Sequence, residues 1–317
     1  MNRLSRAWFR LLLVLVAAIG GHGCSKTEAG SKKPTVALVM KSLANEFFQA
    51  MQQGAEKHQA AHANDYTLIS NGIKDEQDVT RQLQIVEQMT AQGASAIILA
   101  PADSQALVGA CKRASDAGAV VINIDNRLDK DILAQNNLKI PFVGPDNRAG
   151  AKLAGDHLAK KLKSGDKVAI LEGAPGAFNA VQRKLGFEDA MNTAGMKIVS
   201  SQTANWETDK ASKIASALLI EQSDLKAILC SNDSMALGAV AAIKAAGKTD
   251  QVLVVGFDNI SAVQQLIKDG KVLCTVDQHG DQLAVYGIEY ALEVLRTKTP
   301  PADRQTPVDL VTAETLK

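Results

Sequence analysis

Short apolar runs alternate with helical patterns along most of this chain, and several runs end on one hydrogen-bonding residue. Val120-Val121-Ile122-Asn123-Ile124 leads into Asp125, and Ala227-Ile228-Leu229-Cys230-Ser231 into Asn232. Val252-Leu253-Val254-Val255-Gly256-Phe257 leads into Asp258, and the run 272–276 is followed, one residue later, by Gln278. Runs this short between amphipathic stretches are the pattern of strands buried on both faces of a parallel sheet. In open α/β sheets the ligand crevice lies beyond the carboxyl ends of the strands. Carboxylates and carboxamides there, with aromatics nearby, suit a small, neutral, polyhydroxylated ligand such as a sugar.

The alternation predicts strands at 35–40, 66–70, 94–99 and 120–124, with helices at 46–62, 76–91 and 105–117 between them. A loose stretch at 128–137 precedes a short strand at 141–143. The pattern then restarts with helices at 149–163, 180–194, 209–221, 235–246, 261–268 and 282–296. Strands are predicted between them at 167–171, 198–202, 227–230, 252–257 and 272–276. Each half is a βα series that calls for a doubly wound parallel sheet with helices on both faces. Glycines at 93, 118, 195, 247 and 270 stand where helix ends need a left-handed cap residue. Two such lobes with a cleft between them can close on a ligand by hinge bending.

The N-terminus reads as a targeting segment rather than as part of the fold. Arg3, Arg6 and Arg10 precede the apolar stretch 11–19, which is shorter than the roughly 20 residues a spanning helix needs. A basic leader, a short apolar core and then small residues make a secretory signal over residues 1–23. Cys24 follows Gly23 directly, as in bacterial lipoprotein signals, so a lipid-modified Cys24 is expected on a polar tether of residues 24–32. Removing the signal takes three arginines and no acid, shifting the net charge from +1 to −2. That near-neutral balance lacks the basic excess of a nucleic-acid binder.

The remaining motifs argue against chemistry. Cys111, Cys230 and Cys274 cannot all pair with one another and lack metal-ligand spacing; 230 and 274 fall in predicted strands, where cysteine packs as a small hydrophobe. Gly173-Ala174-Pro175-Gly176 has neither the Lys-Ser/Thr of a phosphate loop nor GxGxxG spacing, and reads as a plain turn. His58 and His62 are four apart, but Gln59 stands where a zinc protease needs glutamate, and no third ligand is evident. No nucleophile–base pair is suggested, so neither an enzyme nor a cofactor is expected. Asp233 is expected to cap the helix near Met235, and Asp146 to serve as a hinge or cap.

Asn45-Glu46-Phe47-Phe48, then Asn232-Asp233-Ser234-Met235-Ala236-Leu237-Gly238, then Val255-Gly256-Phe257-Asp258 occur in an order that identifies a resemblance. From Lys33 onward the chain resembles the periplasmic sugar-binding proteins of ABC transporters, the pentose and hexose group typified by ribose-binding protein. The resemblance implies a type I periplasmic binding protein with two lobes joined by three crossovers. The first lobe would be 33–145 plus 279–309, and the second 146–278 plus 310–317. It implies a monomer that captures a monosaccharide and delivers it to an ABC permease, held at the membrane by its lipid anchor. A sugar sensor acting through a chemoreceptor or sensor kinase is the alternative. Sugar contacts are expected from Asn45, Phe47, Phe48, Asp125, Asn126, Arg183, Trp206, Asn232, Asp258 and Gln278. Adjacent residues at a helix start cannot face the same way, so at least one of Phe47 and Phe48 should face the cleft. Arg183 has only the resemblance to distinguish it from a solvated helix residue. The ribose pattern has arginine where Asn126 stands and a smaller aromatic where Trp206 stands, which points to another pentose or to a hexose such as allose, psicose or fructose.

Overall fold

Pairing between the apolar runs sorts them into two separate six-stranded sheets. A computed structural model of the chain describes residues 33–316; the leader, Cys24 and the tether up to residue 32 lie outside them. The first series runs β1 (Thr35–Ser42), α1 (Glu46–Ala61), β2 (Thr67–Ile73), α2 (Val79–Ala91), β3 (Ala96–Leu99), α3 (Val108–Asp116), β4 (Val120–Ile124), α4 (Lys130–Gln135) and β5 (Phe142–Pro145). The second runs α5 (Asn147–Ala159), β6 (Lys167–Glu172), α6 (Phe178–Thr193), β7 (Lys197–Thr203), α7 (Thr208–Glu221), β8 (Leu225–Cys230), α8 (Asp233–Ala245), β9 (Leu253–Val255), α9 (Ser261–Lys268) and β10 (Cys274–Asp277). The chain ends with α10 (Gly280–Thr297), β11 (Arg304–Thr306) and β12 (Asp309–Thr312).

The sheets are ordered β11-β5-β4-β3-β1-β2 and β12-β10-β9-β8-β6-β7. Each therefore begins from the same winding, in which the chain starts in the interior, steps to one edge and returns past its first strand. That reversal creates a crevice at the carboxyl ends of the strands. All pairings are parallel except β10 with β12, a departure from the wholly parallel expectation. The chain crosses between sheets after β5, after β10 and after β11.

Helix starts follow capping chemistry more closely than apolar periodicity. α2 begins at Val79, three residues later than predicted, because Asp78 accepts from the Arg81 amide. Asn232, not Asp233, caps α8 by accepting from Met235. Asp233 is buried instead, accepting from Thr275 Oγ1 at 2.8 Å and from the Ile260 amide at 3.0 Å. Asp146 does cap α5, through Ala149. The stretch expected to be loose holds α4, capped by Asp129; at under two turns it is too short to show a periodic apolar face.

Apolar residues of α2 and α3 bury one face of the first sheet, with Ile85, Met89 and Cys111 among them. α5 and α6 bury one face of the second through Phe187 and Met191. The inner helices α1, α7, α8 and α10 share a cluster that reaches the cleft aromatics Phe47, Phe48 and Trp206. Cys111, Cys230 and Cys274 are buried and unpaired. No helix among the described residues is long and apolar enough to cross a membrane.

Candidate functional site

The strand ends converge where the two sheets face each other. Lys41, Asn45, Phe47, Phe48, Glu76 and Asp125 from the first lobe meet Asn179, Arg183, Trp206, Asn232, Asp258 and Gln278 around one narrow cavity. Nine of the ten expected contacts are there, the exception being Asn126. Its carboxamide turns away, donating to the Pro101 carbonyl and accepting from the Asn179 amide.

On the first lobe, Gln82 fixes the strand ends by donating to the carbonyls of Met40 and Ala100 and accepting from the Ala102 amide. That places Lys41, whose ammonium lies 2.9 Å from Asp125 with both side chains almost wholly buried. Asp125 has φ +60, and Asn123 holds the turn by donating to the Asn126 carbonyl and accepting from the Leu128 amide. Asn45 caps α1 through the Phe47 amide and donates to Glu76. Phe47 and Phe48 pack edge to face at 5.0 Å, and both line the cavity. Burial pushes the Glu76 carboxyl up to about 7, with Asp125 and Glu207 adding to the rise and Lys41 and Asn45 opposing it.

On the second lobe, the Arg183 guanidinium donates to Asn147 Oδ1 and the Ser231 carbonyl at 2.8 Å and reaches Asp258 at 3.4 Å. It rests on the Phe257 ring at 3.7 Å. Gln278 donates to Asp258 at 2.7 Å. Burial raises the Asp258 carboxyl well above its ordinary range, against the pull of Arg183. Burial likewise lowers the Arg183 guanidinium, with Asp258 and Asp125 resisting. Trp206 has φ +70, and the turn around Gly173 lies flush against its indole. Positive φ is uncommon outside glycine and clusters where function fixes the backbone; here Asp125, Trp206 and Asp258 all have it.

Asn179 Oδ1, Trp206 Nε1 and Gln278 Oε1 are buried on this cavity without a hydrogen-bond partner, and Asp125 Oδ2 faces only the Lys41 ammonium. Native proteins rarely leave such atoms unsatisfied, so the wall is built to bond something else: two free acceptors and one donor, beside the Asp125 and Asp258 carboxylates and two cations, with Phe47, Phe48 and Trp206 in the lining. A larger groove opens nearby, lined by Arg127, Phe142 and Phe178 among others, but most of its charged groups are exposed, and Arg127 is paired with Asp303. Among the described residues no group of three or more His, Cys, Asp or Glu could hold a metal.

Sequence reasoning missed Lys41, Glu76 and Asn179. Lys41 carried the same signal as Asp125, a polar residue closing the apolar run 36–40. Glu76, in a polar stretch, carried none.

The family model for the periplasmic binding protein domain matches residues 36–299. The chain is 56% identical to the D-ribose/D-allose-binding protein of Pseudomonas aeruginosa over 99% of its length and all of that protein's. It is 34% identical to the ribose import binding protein of Salmonella typhimurium, covering 94% of this chain and 96% of that one. Two crystal structures superpose well. One is an ABC transporter solute-binding protein from Burkholderia multivorans, 56% identical, with TM-score 0.87 over 89% of this chain and 100% of that one. The other is a periplasmic solute-binding protein from Actinobacillus succinogenes with bound D-allose, 37% identical, with TM-score 0.85 over 90% and 99%. The chain belongs to the periplasmic binding protein family, on the type I, two-lobed fold.

Proposed function

We propose that this protein captures an aldose of the D-ribose or D-allose kind between its lobes and delivers it to an ABC permease. The observation that carries the reading is the set of three unpartnered buried polar atoms, beside the Asp125 carboxylate, on a cavity walled by Phe47, Phe48 and Trp206. Sugar hydroxyls both donate and accept, so one ring can satisfy all three, and its C–H faces can lie on the aromatics. Asp125 and Asp258 supply charge-assisted acceptors, which bind hydroxyls about twice as strongly as neutral ones. The relatives named for ribose and allose support these two sugars first.

The lobes of the proposal are 33–145 with 279–306, and 146–278 with the tail from residue 309. We put the last crossover between residues 306 and 309, one to three residues earlier than the resemblance implied, because Asp309 pairs with Asp277 in the second sheet. The cavity measures about 20 Å³, and one water needs roughly 10–15 Å³. The lobes must therefore part to admit a sugar ring, and the side chains of the cavity wall must shift to hold it when they close again. Cys24, lipid-modified, would tether the protein outside the cytoplasm within reach of its permease, as a monomer.

Calorimetric titration with D-ribose, D-allose, other pentoses and other hexoses tests the binding. Tight, saturable binding of ribose or allose is expected, and failure of every sugar to bind would overturn the proposal. For the anchor, Cys24→Ser should move the protein from the membrane to the soluble fraction in its native host. An unmodified N-terminus elsewhere, found by mass spectrometry, would remove that part.

A further inference from the structure

Three helices of the second lobe, α6, α7 and α9, begin without a side-chain cap of their own, and two of them, α6 and α9, begin against the other lobe. Their N-cap residues are Ala177 and Ile260, and neither makes a side-chain capping bond. By contrast Asn45, Asp78, Asp146 and Asn232 cap their helices from within. For α6 and α9 the acceptors come from the other lobe. Ser104 Oγ accepts from the Phe178 amide at 2.9 Å, and Asn126 Oδ1 accepts from the Asn179 amide at 3.1 Å. The Ser104 amide in turn donates to the Gly176 carbonyl at 2.9 Å. On the opposite flank, Glu46 Oε1 accepts from the Ser261 amide at 2.8 Å. Its carboxylate thus serves the N-terminal ends of both α1 and α9, where negative charge is favoured.

Gly176 belongs to the same interface. A Cβ there would overlap Asp103 Oδ2. Asp103 cannot swing aside freely, because its Oδ1 accepts from the amides of Gln105 and Ala106. Gly176 is not among the residues with positive φ, so glycine serves the close approach of the lobes rather than an unusual backbone. Ser104, Asn126 and Glu46 do not line the sugar cavity.

We propose that Ser104, Asn126 and Glu46 are positioning residues that cap α6 and α9 across the cleft only when the lobes meet. They set the open–closed equilibrium, and with it sugar affinity, without touching the sugar. The affinity part rests on the sugar-binding reading above. A cap present in one state alone shifts the equilibrium toward that state, and the worth of a single cap corresponds to a change on the order of tenfold. Asparagine at 126, where the ribose pattern has arginine, thereby gains a role: it is the acceptor for α6.

The test is calorimetry with D-allose and D-ribose on the mature protein, in four variants: Glu46→Ala, Ser104→Ala, Gly176→Ala, and Gly176→Ala with Asp103→Ala. In the first three, Kd should rise on the order of tenfold for both sugars, with the allose-to-ribose ratio unchanged. The fourth should recover most of the affinity that Gly176→Ala loses, which a simple folding defect would not do. Unchanged affinity in Glu46→Ala and Ser104→Ala, or an altered ratio, would overturn the proposal. If the native protein binds neither sugar, the sugar reading fails on its own, and closure is read instead from spin-label distances between the lobes without ligand. Longer distances in the variants then support the cross-lobe caps, and identical distributions refute them.

Discussion

The Lys41 ammonium and Asp125 Oδ2 stand 2.9 Å apart at the carboxyl ends of β1 and β4, across the intervening β3, both at most 3% exposed. The pair holds charge in place for a ligand more than it stabilises the lobe, because two desolvated ions gain little net energy from each other. Removing one partner is a different matter. Lys41→Met should cost about 3–5 kcal/mol by leaving a buried carboxylate uncompensated. Adding Asp125→Leu should recover much of that loss while leaving sugar binding abolished. Urea unfolding of the single and double variants checks this, and equal stability of the two would show that the charge is not confined as the geometry implies.

Gly173 gives Trp206 its position: a Cβ at residue 173 would overlap the six-membered ring of the indole. Gly173→Ala should push the ring out of the cleft, abolish sugar binding and shift its emission to the red. In protein prepared without residues 1–23 the emission reports on Trp206 alone, because the other tryptophan of the sequence is Trp8. In the native mature protein, a sugar titration should change the same emission. An unshifted spectrum in Gly173→Ala would mean that the indole is not held by this turn.

Glu76 gives stability a pH dependence. Its carboxyl is pushed up from the ordinary 4.5 to about 7 by burial, amid Lys41, Asn45, Asp125 and Glu207. A carboxyl with a raised folded pKa keeps its proton more firmly when folded. Its contribution is therefore complete below the unfolded value and is lost as pH rises through the folded one. Melting temperature should fall between about pH 4.5 and pH 7, and Glu76→Gln should flatten that fall. A slope unchanged by Glu76→Gln would assign the dependence to the other buried carboxyls whose pKa burial raises, Asp233, pushed up to about 7, and Asp258.

Much of this architecture was legible because a buried parallel strand has one visible signature, an apolar run ended by a polar residue. That rule found Asp125, Asn232, Asp258 and Gln278, and applied evenly it finds Lys41 as well. Helix starts were misplaced at Val79, Phe178 and Asp233 because caps act through one side chain, outside the periodic face. β11 and β12 are three and four residues long and carry charge, so periodicity could not mark them. The resemblance implied only a lobe boundary at 309/310, not these strands. Asn126 was read as a sugar contact through its neighbour Asp125, yet adjacent residues in a turn diverge, and its side chain serves the lobe interface. Glu76 owes its place to chain entering from α2's delayed start, which no local pattern announces.

Asp258 combines three demands that separate substitutions can pull apart. It has φ +123, it neutralises Arg183 and it accepts from Gln278. Asp258→Ala should keep the backbone strain and strand the buried guanidinium, giving the largest loss of stability. Asp258→Gly relieves the strain but not the charge, so it should unfold later than the alanine variant, by about 1 kcal/mol. Asp258→Asn keeps the shape and a single acceptor, and should bind sugar with Kd raised on the order of tenfold or more, since a bond to a charged group is worth about 1.5–3 kcal/mol. Thermal unfolding and calorimetry on the three variants check the order. If alanine matched glycine in stability, the backbone at 258 would carry no strain. If asparagine bound sugar as tightly as the native protein, the carboxylate would not be the group that reads the hydroxyls.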